Sequence, residues 1–134
     1  ESSISYKKLL WNAVKSNVVL NYSYNSAVDS AGNQLAYIPV QRVSMQGLLE
    51  WRSFRITYGH RFTEKRFLNN FNTAYLPSFF NATAGVNYTL NTGKEGRLIL
   101  GCQVENLYNE PYQEVANRPM PNRYFIVNIK FIKS

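Results

Sequence analysis

The sequence is poor in the residues that build disulfide frameworks, metal centres and membrane helices. Its 134 residues include one cysteine, Cys102, and one histidine, His60. A disulfide within the chain is therefore excluded, and the redox compartment stays open. No apolar run approaches the roughly 20 residues of a transmembrane helix. The chain shows no signal-peptide pattern and begins with Glu1 instead of Met, which indicates a processed chain or a piece of a larger one.

Carboxylates are scarce as well, with 8 Asp and Glu against 15 Lys and Arg. Glu50 and Glu105 fall on polar faces of different predicted strands, so nothing pairs them for acid–base work. The basic residues are spread along the whole chain and form no single stripe, which disfavours nucleic-acid binding. His60 lies on an apolar strand face with no second ligand at metal-binding spacing. We therefore expect no enzyme, no metal site, no cofactor and no nucleic-acid partner.

What the chain does have is aromatic residues and a repeated alternation of apolar and polar positions. Aromatics make up 15% of the sequence. In the segment from Val18 onward, Val18, Leu20 and Tyr22 share one face of a strand, while Asn21 and Ser23 share the other. This period of two is typical of half-buried strands. It recurs six times, over residues 18–25, 43–51, 54–62, 82–90, 98–104 and 125–131.

The first segment, residues 4–13, is ambiguous. As a strand it would place Leu9, Trp11 and Ala13 on one face. As a short helix it would align Tyr6, Leu9, Leu10 and Ala13. We favour the strand because the rest of the chain is predicted to be strand.

The connections between strands alternate in length. Short connections fall at residues 15–17, 51–53 and 91–96, and long ones at 26–41, 63–78 and 108–122. Successive connections of an up-and-down sheet lie at opposite ends, so all the long loops share one end. Short turns at one end and long loops at the other are typical of outer-membrane β-barrels. The pattern therefore predicts an all-β, antiparallel up-and-down meander that is a segment of a transmembrane β-barrel.

Alternation alone does not say which face points inward. A soluble barrel has an apolar interior, and a membrane barrel has a lipid-facing apolar exterior. The polar faces here carry mainly Asn, Ser, Thr and Gly, where a soluble barrel would carry many Lys and Glu. This composition favours the membrane barrel. A soluble β-barrel carrier of a small apolar ligand and an outer-membrane barrel with only a structural role remain open alternatives.

Residues 104–131, "VENLYNEPYQEVANRPMPNRYFIVNIKF", resemble the end of TonB-dependent outer-membrane receptors. Within that family the resemblance is greatest to the cobalamin and siderophore receptors. The family phrase like "NLFNxxY" corresponds to residues 106–109 and Tyr112. The Pro-x-Pro-Gly-Arg-aromatic phrase corresponds to residues 119–124, with Asn122 where glycine is usual. Asn tolerates left-handed backbone geometry, so we expect the turn to survive. "NYSYNSA" and "LAYIPVQRVSMQGLLEW" resemble two further family phrases in the same order.

The resemblance implies that residues 1–134 are the C-terminal part of a 22-stranded barrel, with about six to seven of its strands and without its plug domain. The implied location is the outer membrane of a Gram-negative bacterium, and the implied function is active uptake of a siderophore or cobalamin. The implied partners are the remainder of the barrel and plug, the TonB energy-transducing system and lipid A. An isolated fragment would have two open edges, so we expect self-association.

Substrate in receptors of the resembled kind is first met by the extracellular loops. Arg66, Tyr75 and Arg118 lie in the long connections. Tyr offers flat apolar area with a hydrogen-bonding tip, and Arg offers directed donors. We therefore expect these three residues to take part in substrate binding.

Overall fold

The computed structural model describes residues 2–10, 14–93 and 96–133, and in this part of the chain all regular structure is β. Alternating side chains and a high content of Val, Ile, Tyr and Phe favour this outcome. The strands are β1 (Ser2–Leu10), β2 (Val14–Tyr24), β3 (Gln41–Trp51), β4 (Phe54–Thr63), β5 (Arg66–Phe67), β6 (Tyr75–Leu76), β7 (Phe79–Asn91), β8 (Gly96–Glu105), β9 (Gln113–Val115), β10 (Arg118–Pro119) and β11 (Tyr124–Lys133).

Seven long strands form one antiparallel sheet in the order β1-β2-β3-β4-β7-β8-β11. Two small hairpins, β5-β6 and β9-β10, lie within the long connections. The predicted meander is confirmed, because each long strand pairs with the next long strand along the chain. The sheet is not closed: β1 and β11 each have one neighbour in this order, so each leaves one edge open.

The strand preference for the first segment is confirmed over the described residues, with β1 paired to β2 from Ser2 to Leu10. Trp11 and Ala13 of that segment lie outside the described residues, as do Lys94 and Glu95 of the predicted turn at 91–96.

The turn predicted at residues 15–17 is wrong. Lys15 and Asn17 belong to β2 and pair with Glu50 and Leu48 of β3. Their polar character suggested a turn, but both lie on the polar face of the sheet, where such residues belong. Strand β7 also begins at Phe79, three residues before the predicted start.

The apolar face of the sheet is its exposed face. Val127 and Ile129 of β11 are 74% and 71% exposed, and Val18 and Leu20 of β2 are also exposed. The neighbouring polar-face residues of β2, including Asn21, are half-buried. The hydrophobic side chains that are fully buried in the described part of the chain are Leu76, Phe79 and Ala82. The sheet therefore removes few large apolar side chains of the described residues from solvent.

Charge divides between the two faces in the same sense. On the apolar face of the described strands, the charged residues are Lys8 and Lys133, both at the short-turn end. The polar face carries two carboxylates, Glu50 and Glu105. Its cations are Lys7, Lys15, Arg42, Arg55, Arg61, Arg97 and Lys130.

Aromatic residues form a cluster at each end of the apolar face. At the short-turn end, Phe54 packs between Trp51 and Tyr88, with ring centroids 6.1 and 4.7 Å away. At the long-loop end, the Phe62 and Phe80 rings lie 4.9 Å apart. Phe54 and Phe62 are eight residues apart in β4, which is about 26 Å along a strand. At the tilt of about 35–45° that strands have in membrane barrels, this corresponds to about 20 Å along the membrane normal, somewhat less than their apolar band of roughly 25 Å.

Candidate functional site

The three long connections, residues 25–40, 64–78 and 106–123, contact one another and form what we call the loop layer. The first two are joined by backbone groups, since the Tyr37 N–H donates to the Phe67 carbonyl over 2.7 Å. The Asn70 side chain adds a second link by accepting from the Ala36 N–H over 3.1 Å. The loop layer is therefore a connected structure at one end of the sheet.

Arg66 joins the second long connection to the third. Its guanidinium donates to the carbonyls of Gln113 and Glu114 over 2.7 and 3.2 Å. It also lies 5.2 Å from the centroid of the Phe79 ring. The whole residue is only 5% exposed. Because Arg has five donors in a fixed fork, a single side chain can hold two carbonyls of a hairpin at once.

Side chains of the polar face of the sheet bind the third long connection. Arg61 of β4 forms an ion pair with Glu114 over 2.6 Å. Asn81 of β7 donates to the Tyr112 hydroxyl over 2.6 Å, and the Tyr112 and Phe79 rings stack at 4.4 Å. The hairpin β9-β10 is thus attached to the face that carries the polar residues.

Burial sets the protonation behaviour of two loop-layer groups. It lowers the pKa of Arg66, although nearby Glu114 counteracts this. It raises the pKa of the Tyr112 hydroxyl, which the hydrogen bond from Asn81 partly offsets. The raised pKa keeps the Tyr112 hydroxyl neutral at pH 7, and a guanidinium such as that of Arg66 is not deprotonated in proteins.

The two phrases that carry the family resemblance contact each other. Asn106 adopts a positive φ of 50° and is 2% exposed. Its amide donates to the carbonyls of Glu110 and Pro121 over 2.9 and 3.1 Å. The Asn109 side chain accepts from the Arg123 N–H over 2.9 Å. These bonds fix both ends of the third long connection. Asn122 has no positive φ, so the expected left-handed geometry is not used there.

The three residues predicted to bind substrate occupy different settings. Arg66 is buried, as described above. Tyr75 is 59% exposed and pairs with Phe67 in the hairpin β5-β6. Arg118 is exposed in β10, opposite Val115. The three side chains therefore belong to one loop layer, but no hydrogen bond joins any two of them among the described residues.

His60 lies on the apolar face within the aromatic cluster at the long-loop end. Its Nδ1 lies 3.2 Å from the Tyr108 hydroxyl, which is 3.1 Å from the Tyr58 hydroxyl. The Tyr58 and Tyr108 hydroxyls and the His60 ring thus supply hydrogen-bond partners to one another at the end of an apolar surface. Cys102 is exposed on the same face, between Val86 and Val127. Residues 2–10, 14–93 and 96–133 contain no cluster of three metal-binding side chains.

Sequence reasoning missed the residues that hold the loop layer in place: Glu114, Asn81 and Phe79. Their partners are 13 to 53 residues away in the chain, the largest gap being the 53 residues between Arg61 and Glu114. No local pattern marks such pairs. Asn106 was found only through the resemblance, whereas its structural role comes from the positive φ and the amide bonds.

A scan against models of protein families finds no match, and no curated protein is significantly similar to the chain. The described residues include no helix that is long and apolar enough to cross a membrane.

Proposed function

We propose that this chain is a segment of an outer-membrane β-barrel and, specifically, the C-terminal part of a TonB-dependent receptor that takes up a bulky nutrient such as a metal chelate. The observation that carries the proposal is the arrangement of the sheet: its apolar face is exposed and its polar face holds the loop layer. In water this arrangement would expose a large apolar surface. In a membrane it matches a lipid-facing exterior and a polar lumen.

The ends of the apolar face support the same conclusion. The two aromatic clusters lie at opposite ends of this face, about 20 Å apart along the membrane normal at the usual strand tilt, as aromatic girdles near the two interfaces would. Lys8 and Lys133 are the charged residues of this face in the described strands. Lys133 lies beyond the aromatic cluster at the short-turn end, and Lys8 lies one register row to the inner side of it, from where a long side chain can still reach toward the headgroups. The Trp51 ring at this end is also covered by the Arg52 guanidinium, 5.3 Å from its centroid.

The open edges of the sheet support the proposal that further strands complete a barrel. In lipid, the unpaired backbone groups of β1 and β11 would each cost several kcal/mol, so they need partners. We propose that the remainder of the receptor barrel supplies them, and that an isolated fragment would pair with a second copy of itself. Lipid A would contact the apolar face at its long-loop end.

The resemblance to TonB-dependent receptors supports the more specific part of the proposal. It rests on the two phrases near the C-terminus, which meet through Asn106 and Asn109. A structural outer-membrane barrel would share the sheet but would not transport anything. A soluble carrier would need its apolar face turned inward, which is the reverse of the exposure observed here.

Uptake in living cells tests the transport function. Cells that express the intact protein are expected to accumulate labelled ferric chelate or labelled cobalamin, and uptake should stop when the membrane is de-energised. The control is the same strain without the gene. Unchanged accumulation after loss of the gene, for every cargo offered, would contradict the receptor proposal and favour a structural barrel.

Alanine substitutions test the proposed cargo residues. Tyr75→Ala and Arg118→Ala alter exposed side chains, so a loss of cargo binding at unchanged protein level would assign them to capture. A loss of binding in Arg66→Ala has two possible causes, a lost cargo contact or a displaced hairpin, because Arg66 also holds the hairpin β9-β10. Exchange protection of the hairpin in this variant separates the two. If all three substitutions leave binding and uptake unchanged, none of these residues contributes to capture.

A further inference from the structure

A groove of about 760 Å³ lies on the polar face at the short-turn end, away from the loop layer. We call it the basic groove. Four cationic side chains of the polar face line it against a single carboxylate, Glu50: Lys15, Arg55, Arg97 and Lys130. Arg52 also borders the groove, but its guanidinium lies over the Trp51 ring on the other face.

The single carboxylate of the basic groove is already engaged. One Glu50 oxygen accepts two hydrogen bonds from Arg55, over 2.9 and 2.6 Å. Within the described part of the chain, no carboxylate forms an ion pair with Arg97 or Lys130. The groove therefore has a surplus of positive charge on strands whose pairing fixes the positions of these side chains.

Two amides form the centre of the groove. Asn87, Gly101 and Asn128 are in register on three neighbouring strands. The Asn87 and Asn128 side chains both lean over Gly101, so closely that a Cβ at that position would collide with them. Arg55 is the register partner of Asn87 on the other side. The strands thus bring amide donors and cations together over a distance of three strand spacings, about 14 Å.

We propose that the basic groove binds a bulky polyanion, a molecule that carries several carboxylate or phosphate groups. Arg forks and Asn amides offer directed donors to such oxygens, and Lys130 adds a point charge. The groove is too wide for one small anion to reach all its cations. This inference rests on the proposed function in one respect: it takes the polar face as the water-filled side, and it would restrict the receptor's cargo to polyanionic molecules.

Binding of two size-matched probes tests the proposal. Inositol hexakisphosphate and benzene hexacarboxylate carry six phosphates and six carboxylates, and myo-inositol serves as the uncharged control. The intact protein in a nonionic detergent should bind at least one hexa-anion saturably and should not bind myo-inositol. The two hexa-anions separate phosphate recognition from carboxylate recognition. Absence of saturable binding for both would overturn the proposal.

A pair of double variants separates the groove from overall charge. Arg97→Gln with Lys130→Gln removes two cations from the groove, and Lys8→Gln with Lys133→Gln removes two from the opposite face at the same end. The groove variant should weaken binding by roughly 100-fold, at about tenfold for each charge-assisted contact. The control variant should change it by less than about threefold, because screened charges across the sheet contribute little. Equal losses in both variants would overturn the proposal.

Gly101→Ala gives a test without a charge change. The added methyl displaces only the ends of two flexible amides, so the strands should keep their pairing, which circular dichroism would verify. We expect weaker polyanion binding with an unchanged fold, and unchanged binding would contradict the assigned role of the amides. Flotation of the protein with lipid vesicles is scored separately. A protein that floats but binds no polyanion refutes only this inference, and one that fails to float refutes the proposed function.

Discussion

Arg66 is the residue whose removal should most affect the loop layer. It is 5% exposed, donates to two carbonyls of the hairpin β9-β10 and covers the Phe79 ring. Hydrogen bonds from a charged donor contribute about 1.5–3 kcal/mol each. The bond of 3.2 Å is the weaker of the two, and water can reach the freed carbonyls. We therefore expect Arg66→Ala to weaken docking of the hairpin by about 2–4 kcal/mol.

Amide hydrogen exchange measures how this docking protects the hairpin. The Met120 N–H donates to the Tyr112 carbonyl over 2.9 Å and closes the hairpin, so it reports how readily the hairpin opens once Arg66 no longer holds it. A loss of about 2–4 kcal/mol corresponds to roughly 30- to 700-fold faster exchange by opening of the hairpin. Exchange of the central amides of β7 should stay unchanged, since those bonds belong to the sheet.

Arg118→Ala is the matched control, because it removes the same side chain type from an exposed position of the same hairpin. It should leave exchange of Met120 within about twofold of the starting protein. Arg66→Lys keeps the charge but not the fork, so its effect should be intermediate. If Arg66→Ala and Arg118→Ala act equally, or if neither acts, Arg66 does not hold the hairpin.

Three further perturbations have defined outcomes. Gly96 has a φ of +133° and packs against the backbone of β11, so Gly96→Ala should destabilise the β7-β8 end by at least about 1–3 kcal/mol, read as a lower unfolding midpoint in urea. The pKa of Asp29 is lowered, chiefly by the Asn33 N–H, so its stabilising effect is present above its unfolded pKa and is lost as pH falls through the folded value. The protection of residues 29–33 against exchange, taken relative to the intrinsic exchange rate at each pH, should therefore fall in acid, and Asp29→Ala should abolish that pH dependence. In a lipid bilayer, Leu20→Arg should cost about 2–4 kcal/mol if it lies near the midplane, whereas Val19→Arg on the opposite face should cost much less, as measured by unfolding in urea.

Much of the sheet was predictable from local pattern. The alternation of Val18, Leu20 and Tyr22 with Asn21 and Ser23 is a property of consecutive residues, and the structure keeps these two sets on opposite faces. The alternation of short and long connections likewise predicted the meander order. Boundaries were less secure: Lys15 and Asn17 look like turn residues until the pairing with β3 places them on the polar face.

The loop layer was not predictable from the sequence, for a physical reason. Its contacts depend on pairs such as Arg61 with Glu114, which meet only after β4, β7 and β8 have paired. Local propensity assigns these segments to loops and carries no information about which loops touch. Arg66 shows the consequence: an arginine in a predicted loop suggested an exposed binding residue, whereas its position in the structure is buried under a hairpin.

The central claim is that the apolar face of the sheet contacts lipid and the polar face contacts water. Nitroxide labels at successive positions 17 to 22 of β2, introduced after Cys102→Ser, test it in reconstituted vesicles. The claim predicts that labels at 18, 20 and 22 are relaxed mainly by oxygen dissolved in lipid, and those at 17, 19 and 21 mainly by an aqueous nickel chelate. A strand whose labels show no alternation, or whose even positions are the ones reached by the nickel chelate, would contradict the account.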